Sequence, residues 1–343
     1  MENRQWLLHR RPVGMLRDGD LELAHGDQHQ RALPAGHIRV RNLLFLYAPT
    51  MRNWMSSRGA SLHMIIPVGA PVQAMAASRV IESHHPAFPV GSRIVSMGSW
   101  SEFDIIDGAS APRLIDEGVT AIEALGPFGL NALTAYFGLM RVGRPSPGET
   151  LVVSGAAGST GSGAAQLGRI AGCRAIGIAG GAEKCSWLRG ECRIADVIDY
   201  RSDDVSAALK SLCPTGTDIF FDNVGGAMLQ AAVDNMAKFG RIILCGQIAG
   251  YNNKEEDLPA FRNIMRVIYG SVRIQGFLFG DYRDEVPEAI ADLIAWRRSG
   301  EIVTREDIRT GFETLPMHFN ALFEGTNRGT LLGLVDDDAY SAS

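Results

Sequence analysis

The 343-residue chain exceeds one typical domain, so two are expected, each with its own core. Apolar residues make up 46% and charged residues 21%, an ordinary globular balance, and a formal net charge of −5 argues against nucleic acid as the main partner. No apolar run is long enough to span a bilayer, and the first residues, Met1 to Trp6, lack a signal-peptide core. A cytoplasmic protein without a membrane partner is the expectation.

The five cysteines are Cys173, Cys185, Cys192, Cys213 and Cys245. An odd number without a C-x-x-C pair fits reduced, buried thiols better than a disulfide framework or metal lobe. Residues 1 to about 125 read as β-rich. Alternating runs such as His37-Ile38-Arg39-Val40-Arg41 and Ser92-Arg93-Ile94-Val95-Ser96 are separated by Gly and Pro turns, the pattern of a compact barrel or sandwich. Seven of the eight histidines lie in this region, none at a ligand spacing with Cys or Glu, so no metal site is expected.

From Asn131 the pattern changes. A helix at Leu133–Leu139 is halted by Pro145-Ser146-Pro147-Gly148. Strands are predicted at 151–154, 174–179, 196–199, 218–222, 241–245 and 272–277. Helices are predicted at 160–171, 182–190, 202–212, 226–239, 261–268 and 284–299. Asp284 suits the N-cap of the last helix and Gly300 its stop. Six strands joined by crossover helices imply a doubly wound parallel sheet, and their apolar runs fit strands covered on both faces. The tail beyond Asp336 is expected to be loose.

The stretch Gly155-Ala156-Ala157-Gly158-Ser159-Thr160-Gly161 joins a buried strand to a helix. Such a turn lets backbone N–H groups and the helix dipole meet a phosphate. Ala156 stands where G-x-G-x-x-G has its second glycine, so an ordinary βα turn reads equally well on the loop alone. The next strand ends in Ala179-Gly180-Gly181 with no carboxylate, and Lys184 follows. An acid at that strand end would read the ribose 2′-hydroxyl of NAD; a lysine instead favours the 2′-phosphate of NADP. Lys184 also reads as a solvated helix lysine. Asp222-Asn223-Val224-Gly225-Gly226 and Cys245-Gly246-Gln247-Ile248-Ala249-Gly250-Tyr251 place small residues at two further strand ends, with room for a flat cofactor.

These segments, with Asn3-Arg4-Gln5-Trp6, Leu133-Thr134-Ala135-Tyr136-Phe137-Gly138 and Ile274-Gln275-Gly276-Phe277, resemble the zinc-independent medium-chain dehydrogenases/reductases. The similarity is to the group of leukotriene B4 dehydrogenase/prostaglandin reductase and the curcumin and plant double-bond reductases. It covers nearly the whole chain. The resemblance implies an α/β fold: a GroES-like β-barrel substrate domain over 1–130, a Rossmann NADPH-binding domain over 131–300, and a return to the first domain over 301–343. It implies that Ser159, Thr160, Gly161 and Ser162 meet the pyrophosphate, and that Lys184 and Tyr200 flank the 2′-phosphate beside Gly180. Asn223 and Cys245, Gly246, Gln247, Ile248 and Tyr251 would line the cofactor groove. Phe277, Leu278 and Phe279, with Asn327, would close over the nicotinamide. Where zinc-dependent relatives carry Gly-His-Glu, this chain has Gly69-Ala70-Pro71-Val72, so metal-assisted alcohol oxidation is disfavoured.

Hydride delivery to the β-carbon of an enone puts negative charge on its carbonyl oxygen, which a hydrogen-bond donor stabilises before protonation at the α-carbon. The resemblance assigns that donor to Tyr269; a buried structural tyrosine is the alternative. The family motif Ser-x-Asp-Pro-Tyr-Met-Arg reads here Leu46-Tyr47-Ala48-Pro49-Thr50-Met51-Arg52. Thr50 and Met51, with Tyr251, are therefore the expected substrate pocket, without the usual aromatic. The expected activity is NADPH-dependent reduction of the C=C bond of α,β-unsaturated ketones or aldehydes, by a homodimer. A quinone oxidoreductase and a catalytically silent NADPH-binding scaffold are the alternatives.

Overall fold

Short strands between Gly and Pro turns build the first unit of the computed structural model: β1 (Asn3–Leu8), β2 (Leu21–Gly26), β3 (His37–Leu46), β4 (Gln73–Ser83), β5 (Arg93–Ser99), β6 (Phe103–Asp107) and β7 (Arg113–Leu114). Two short helices, α1 (Met51–Trp54) and α2 (Ala121–Leu125), lie among them. The structure describes residues 2–26, 31–58, 63–258, 260–262 and 264–342. The chain divides into two units, Met1–Gly129 with Glu306–Ser343, and Leu130–Arg305.

The second unit carries α3 (Leu130–Phe137), which runs on as a π-helix over Gly138–Gly143. There follow β8 (Thr150–Ser154), α4 (Ser159–Ile170), β9 (Arg174–Ala179), α5 (Ala182–Gly190), β10 (Asp196–Asp199), α6 (Val205–Leu212), β11 (Thr217–Asp222) and α7 (Gly226–Asp234). The unit ends with β12 (Met236–Leu244), α8 (Met265–Tyr269), β13 (Arg273–Gly276) and α9 (Val286–Arg298). The remaining elements, β14 (Glu306–Thr310), α10 (Leu315–Phe319), α11 (Ala321–Glu324) and β15 (Thr330–Leu334), belong to the first unit.

In the first unit the sheet runs β14-β15-β3-β4-β5-β7, β6 pairs with β3, and β1 and β2 form a hairpin. This is the GroES-like β-barrel architecture. Its core gathers Phe45, Tyr47, Met51, Trp100, Leu315 and Phe319, all nearly inaccessible, with Tyr47 and Trp100 packed edge to face at 5.6 Å. The tail is not loose. A 3₁₀ turn over Asp337–Tyr340 docks the buried Ala339; Arg41 pairs with Asp336 at 2.8 Å, and Arg93 with Asp338 at 2.8 Å. The acidic run looks disordered only until cations from β3 and β5 are brought to it.

The sheet of the second unit is parallel throughout, in the order β10-β9-β8-β11-β12-β13. Strand order reverses between β8 and β11, the topological switch point where such sheets bind ligands beyond their C-terminal ends. Leu151, Val152 and Val153 are fully buried, as are Phe220 and Phe221 of the adjoining β11. Three expectations change. The helix predicted over 226–239 stops at Asp234, because Met236 already pairs with Thr217 as β12 begins. Asp284 is not a cap: a 3₁₀ turn over Phe279–Glu285 leads into α9, whose first turn carries a proline instead. Helix α8 spans Met265–Tyr269 rather than 261–268, and Asn263 lies outside the described residues.

Candidate cofactor and active site

Between β8 and α4 the chain turns on Gly155, whose φ of +59° is left-handed. Ala156 is buried, its N–H bonded to Ile178 O at 2.9 Å, so the turn is tied to β9. A Cβ on Gly161 would lie 2.2 Å from Gly155 O, which makes glycine obligatory in the first turn of α4. Ser159 and Thr160 are half-buried at the mouth of that turn, while Gly161 and Ser162 are buried beneath it. The Ser162 hydroxyl donates back to Ser159 O at 3.2 Å. The N-terminus and dipole of this twelve-residue helix suit an anion.

One strand over, β10 pairs with β9 so that Asp199 stands opposite Ala179. That register sets Tyr200 and Arg201 beside Gly180 and Gly181. A Cβ on Gly180 would lie 2.7 Å from the Tyr200 hydroxyl; one on Gly181, whose φ is +93°, would lie 3.4 Å from Arg201 Nη1. Asp199 Oδ1 accepts the N–H groups of both Gly181 (2.9 Å) and Arg201 (3.0 Å), and these bonds hold its carboxyl below the usual range. Lys184 stands on the first turn of α5; burial, then the nearby Arg201, pulls its ammonium below the usual lysine value. Arg201 escaped the sequence reading, although it follows Tyr200 directly.

At the ends of β11 and β12, Asp222 is wholly buried. It accepts the Ser154 hydroxyl at 2.7 Å and the N–H groups of Val224 and Gly225 at 3.1 Å. Asn223 is oriented by Ser154: its N–H donates to the hydroxyl at 2.9 Å and its Nδ2 to the carbonyl at 2.7 Å. Cys245 and Gly246 both donate to Asp222 O, and burial pushes the Cys245 thiol up to about 12. Ile248 N–H reaches Asn223 O at 3.4 Å, and Gln247 N–H donates to the Tyr251 hydroxyl at 3.2 Å. Asn223, Cys245, Gly246, Gln247, Ile248 and Tyr251 are thus brought to one strand-end crevice.

After β13, Phe277 packs on Gly138 and Phe279 on Phe137, at 6.2 Å between rings, leaving Leu278 exposed. In the first unit Thr50 is half-buried at the start of α1, and Asn327 Nδ2 donates to Gly329 O at 2.9 Å.

Two expected site residues are misplaced. Tyr269 ends α8 just ahead of β13, and Gly270 O accepts the N–H of Phe239, which precedes the paired part of β12. That is the N-terminal end of the parallel sheet, opposite the crevice, and the side chain is 76% exposed. It is neither beside the strand ends nor the buried structural tyrosine that was the alternative. Met51 is not a pocket residue: it is fully buried in the first unit's core, its sulfur beside the N–H of Ala48.

Among the described residues no group of three or more His, Cys, Asp or Glu could hold a metal ion, and no helix is long and apolar enough to cross a membrane. Residues 4–114 match the N-terminal domain of oxidoreductases, and residues 159–296 match the zinc-binding dehydrogenase domain. The chain is 33% identical over 343 residues to the NADPH-dependent curcumin reductase of Escherichia coli, with 98% of each covered.

The chain belongs to the zinc-independent medium-chain dehydrogenases/reductases.

Another family member, the NADP(+)-dependent 2-alkenal reductase of Nicotiana tabacum, is 32% identical over 339 residues, covering 98% of each chain. The crystal structure of CurA from Vibrio vulnificus in complex with NADPH superposes with a TM-score of 0.88 at 32% identity, covering 97% of this chain and 99% of that one. A medium-chain reductase therefore carries, in this chain, a glycine turn into the N-terminus of α4, a double-glycine strand end with two cations and a polar crevice at β11 and β12.

Proposed function

We propose that this protein is an NADPH-dependent reductase of the carbon–carbon double bond of α,β-unsaturated ketones and aldehydes. The observation that carries the reading is the β9 end: Gly180 and Gly181 beside Lys184 and Tyr200, with no carboxylate on the strand end itself and Asp199 of β10 accepting backbone N–H groups. Its cation suits a ribose 2′-phosphate, and β9 ends without the acid that would read a free 2′-hydroxyl from that strand end. The fit extends to the pyrophosphate, because Gly161 admits no side chain and the N-terminus of α4 presents its N–H groups. Ser159, Thr160, Lys184, Tyr200, Asn223, Gly246 and Gln247 would hold the cofactor, and Leu278 would border the nicotinamide end.

Bound NADPH supplies a hydride to the substrate β-carbon. The chain must then stabilise charge on the carbonyl oxygen and see a proton delivered to the α-carbon. Tyr251 takes the donor role first assigned to Tyr269, since its hydroxyl sits at the crevice, held by Gln247 N–H. The relatives' named activities on curcumin and 2-alkenals support the substrate class.

A cytoplasmic homodimer completes the reading. Five free thiols, four of them buried, favour a reducing compartment. The open edge of β13 and the exposed Phe239, Ile264 and Ile268 near its start favour pairing with a second copy.

The test is NADPH oxidation against a panel of enones, enals and quinones. Turnover of enones and enals, with transfer of the labelled hydride to the β-carbon, is expected. Silence across the panel with NADPH still bound would point to a scaffold, and turnover of quinones alone would overturn the substrate class.

A further inference from the structure

We propose that Arg201 is a second cationic residue for the adenosine 2′-phosphate and that it sets the preference for NADPH over NADH together with Lys184. The inference rests on the NADPH reading above and adds a residue to it.

The argument starts from the register of two strands. Asp199 opposite Ala179 brings the two residues after β10 level with the two glycines after β9. One carboxylate oxygen then pins both strand ends, through Gly181 N–H at 2.9 Å and Arg201 N–H at 3.0 Å. Arg201 therefore leaves from a fixed backbone rather than a swinging loop. Its guanidinium lies over Gly181, with Nη1 3.4 Å from where a Cβ would stand. A Cβ at position 181 would meet it only at contact distance, and it is the φ of +93° that makes glycine the residue adopting this turn without strain.

Charge gives the second line. Arg201 is near enough to Lys184 to make its ammonium easier to deprotonate, although Glu183 acts in the opposite sense. Two cations gathered at one strand end repel each other in the free protein. A dianion between them relieves that repulsion, and the planar fork of arginine suits phosphate oxygens. Asp199 Oδ1 is taken up by the two backbone donors, and its carboxylate, which Arg201 also attracts, sits partly exposed to solvent, where its charge is screened. The Tyr200 ring rests on Gly180, beside the two cations.

The test measures dissociation constants of NADPH, NADH and 2′,5′-ADP for the full-length wild type, Arg201→Ala, Arg201→Lys and Lys184→Ala. Arg201→Ala is expected to weaken NADPH and 2′,5′-ADP by about tenfold or more, as for a lost charge-assisted pair, and to leave NADH within about twofold. Arg201→Lys should recover part of the loss, and the salt dependence of NADPH binding should flatten in Arg201→Ala. Equal weakening of NADH and NADPH, or no weakening of either, would overturn the role of Arg201 while leaving the NADPH reading in place. A wild type that binds NADPH no better than NADH would instead bring down the reading on which it rests. An unchanged melting temperature for Arg201→Ala, expected of an exposed side chain, separates binding from folding.

Discussion

The Ser154 hydroxyl donates a 2.7 Å hydrogen bond to Asp222 Oδ1, which ties the C-terminal ends of β8 and β11 together at the switch point of the sheet. The same serine orients Asn223 through both its hydroxyl and its carbonyl. Replacing Asp222 by Ala would strand that hydroxyl and the N–H groups of Val224 and Gly225 in a buried site. Unpaired buried donors of this kind cost about 2–4 kcal/mol in all. Urea unfolding should show that loss, and NADPH affinity should fall with it. A variant as stable as the wild type would show that water replaces the carboxylate.

Gly161 tests the phosphate turn by shape alone. Its Cβ would meet Gly155 O at 2.2 Å, so Gly161→Ala must push α4 away from β8. Overpacking of this sort costs about 1–3 kcal/mol. The melting temperature should drop and NADPH binding should weaken. Gly190→Ala in α5 is the control, because nothing lies within 4 Å of its added methyl group; it should be neutral or slightly stabilising. Parallel losses in both variants would remove the steric explanation.

Tyr251 and Tyr269 can be told apart kinetically. Tyr251→Phe removes the hydroxyl that accepts from Gln247 at the crevice, and kcat for an enone should fall roughly a hundredfold or more, the range of a lost proton donor. Tyr269→Phe alters an exposed ring at the far end of the sheet and should leave kcat unchanged. A reversed result would restore Tyr269 to the mechanism.

Glu149 gives a pH signature. Two hydrogen bonds from Arg241, at 2.6 and 2.7 Å, hold its carboxyl below the usual range against the opposing effect of burial. A lowered folded-state pKa means that the unfolded chain binds the proton more tightly. The pair's stabilisation is therefore present above the ordinary carboxylate range and disappears as pH falls through the lowered value. Glu149→Gln should reduce stability at neutral pH and make the acid-side decline shallower, as read from urea midpoints between about pH 3 and 7. An unchanged pH profile would mean that other carboxylates carry the acid response.

Much of the second unit could be read locally. The strands at 174–179 and 196–199 and the helix at 182–190 carry the observed bounds, because Gly172, Gly180, Gly181 and Gly190 punctuate the stretch and short apolar runs mark its strands. The missing acid at Gly180-Gly181 and the cation at Lys184 were equally visible, as chemistry written at a strand end. Pairing decided the rest. Arg201 joins the same site because Asp199 and Ala179 are in register, a fact of hydrogen bonding between segments some twenty residues apart. The acidic tail is ordered because Arg41 and Arg93 reach it from more than 240 residues away. Tyr269 leaves the active site because β13 runs parallel to its neighbours, placing the residue before it at the wrong end of the sheet. Sequence periodicity fixes which faces of an element are apolar. Which end of the sheet a residue reaches, and which charges it meets there, depends on strand order and direction, and those are settled only when distant segments pair.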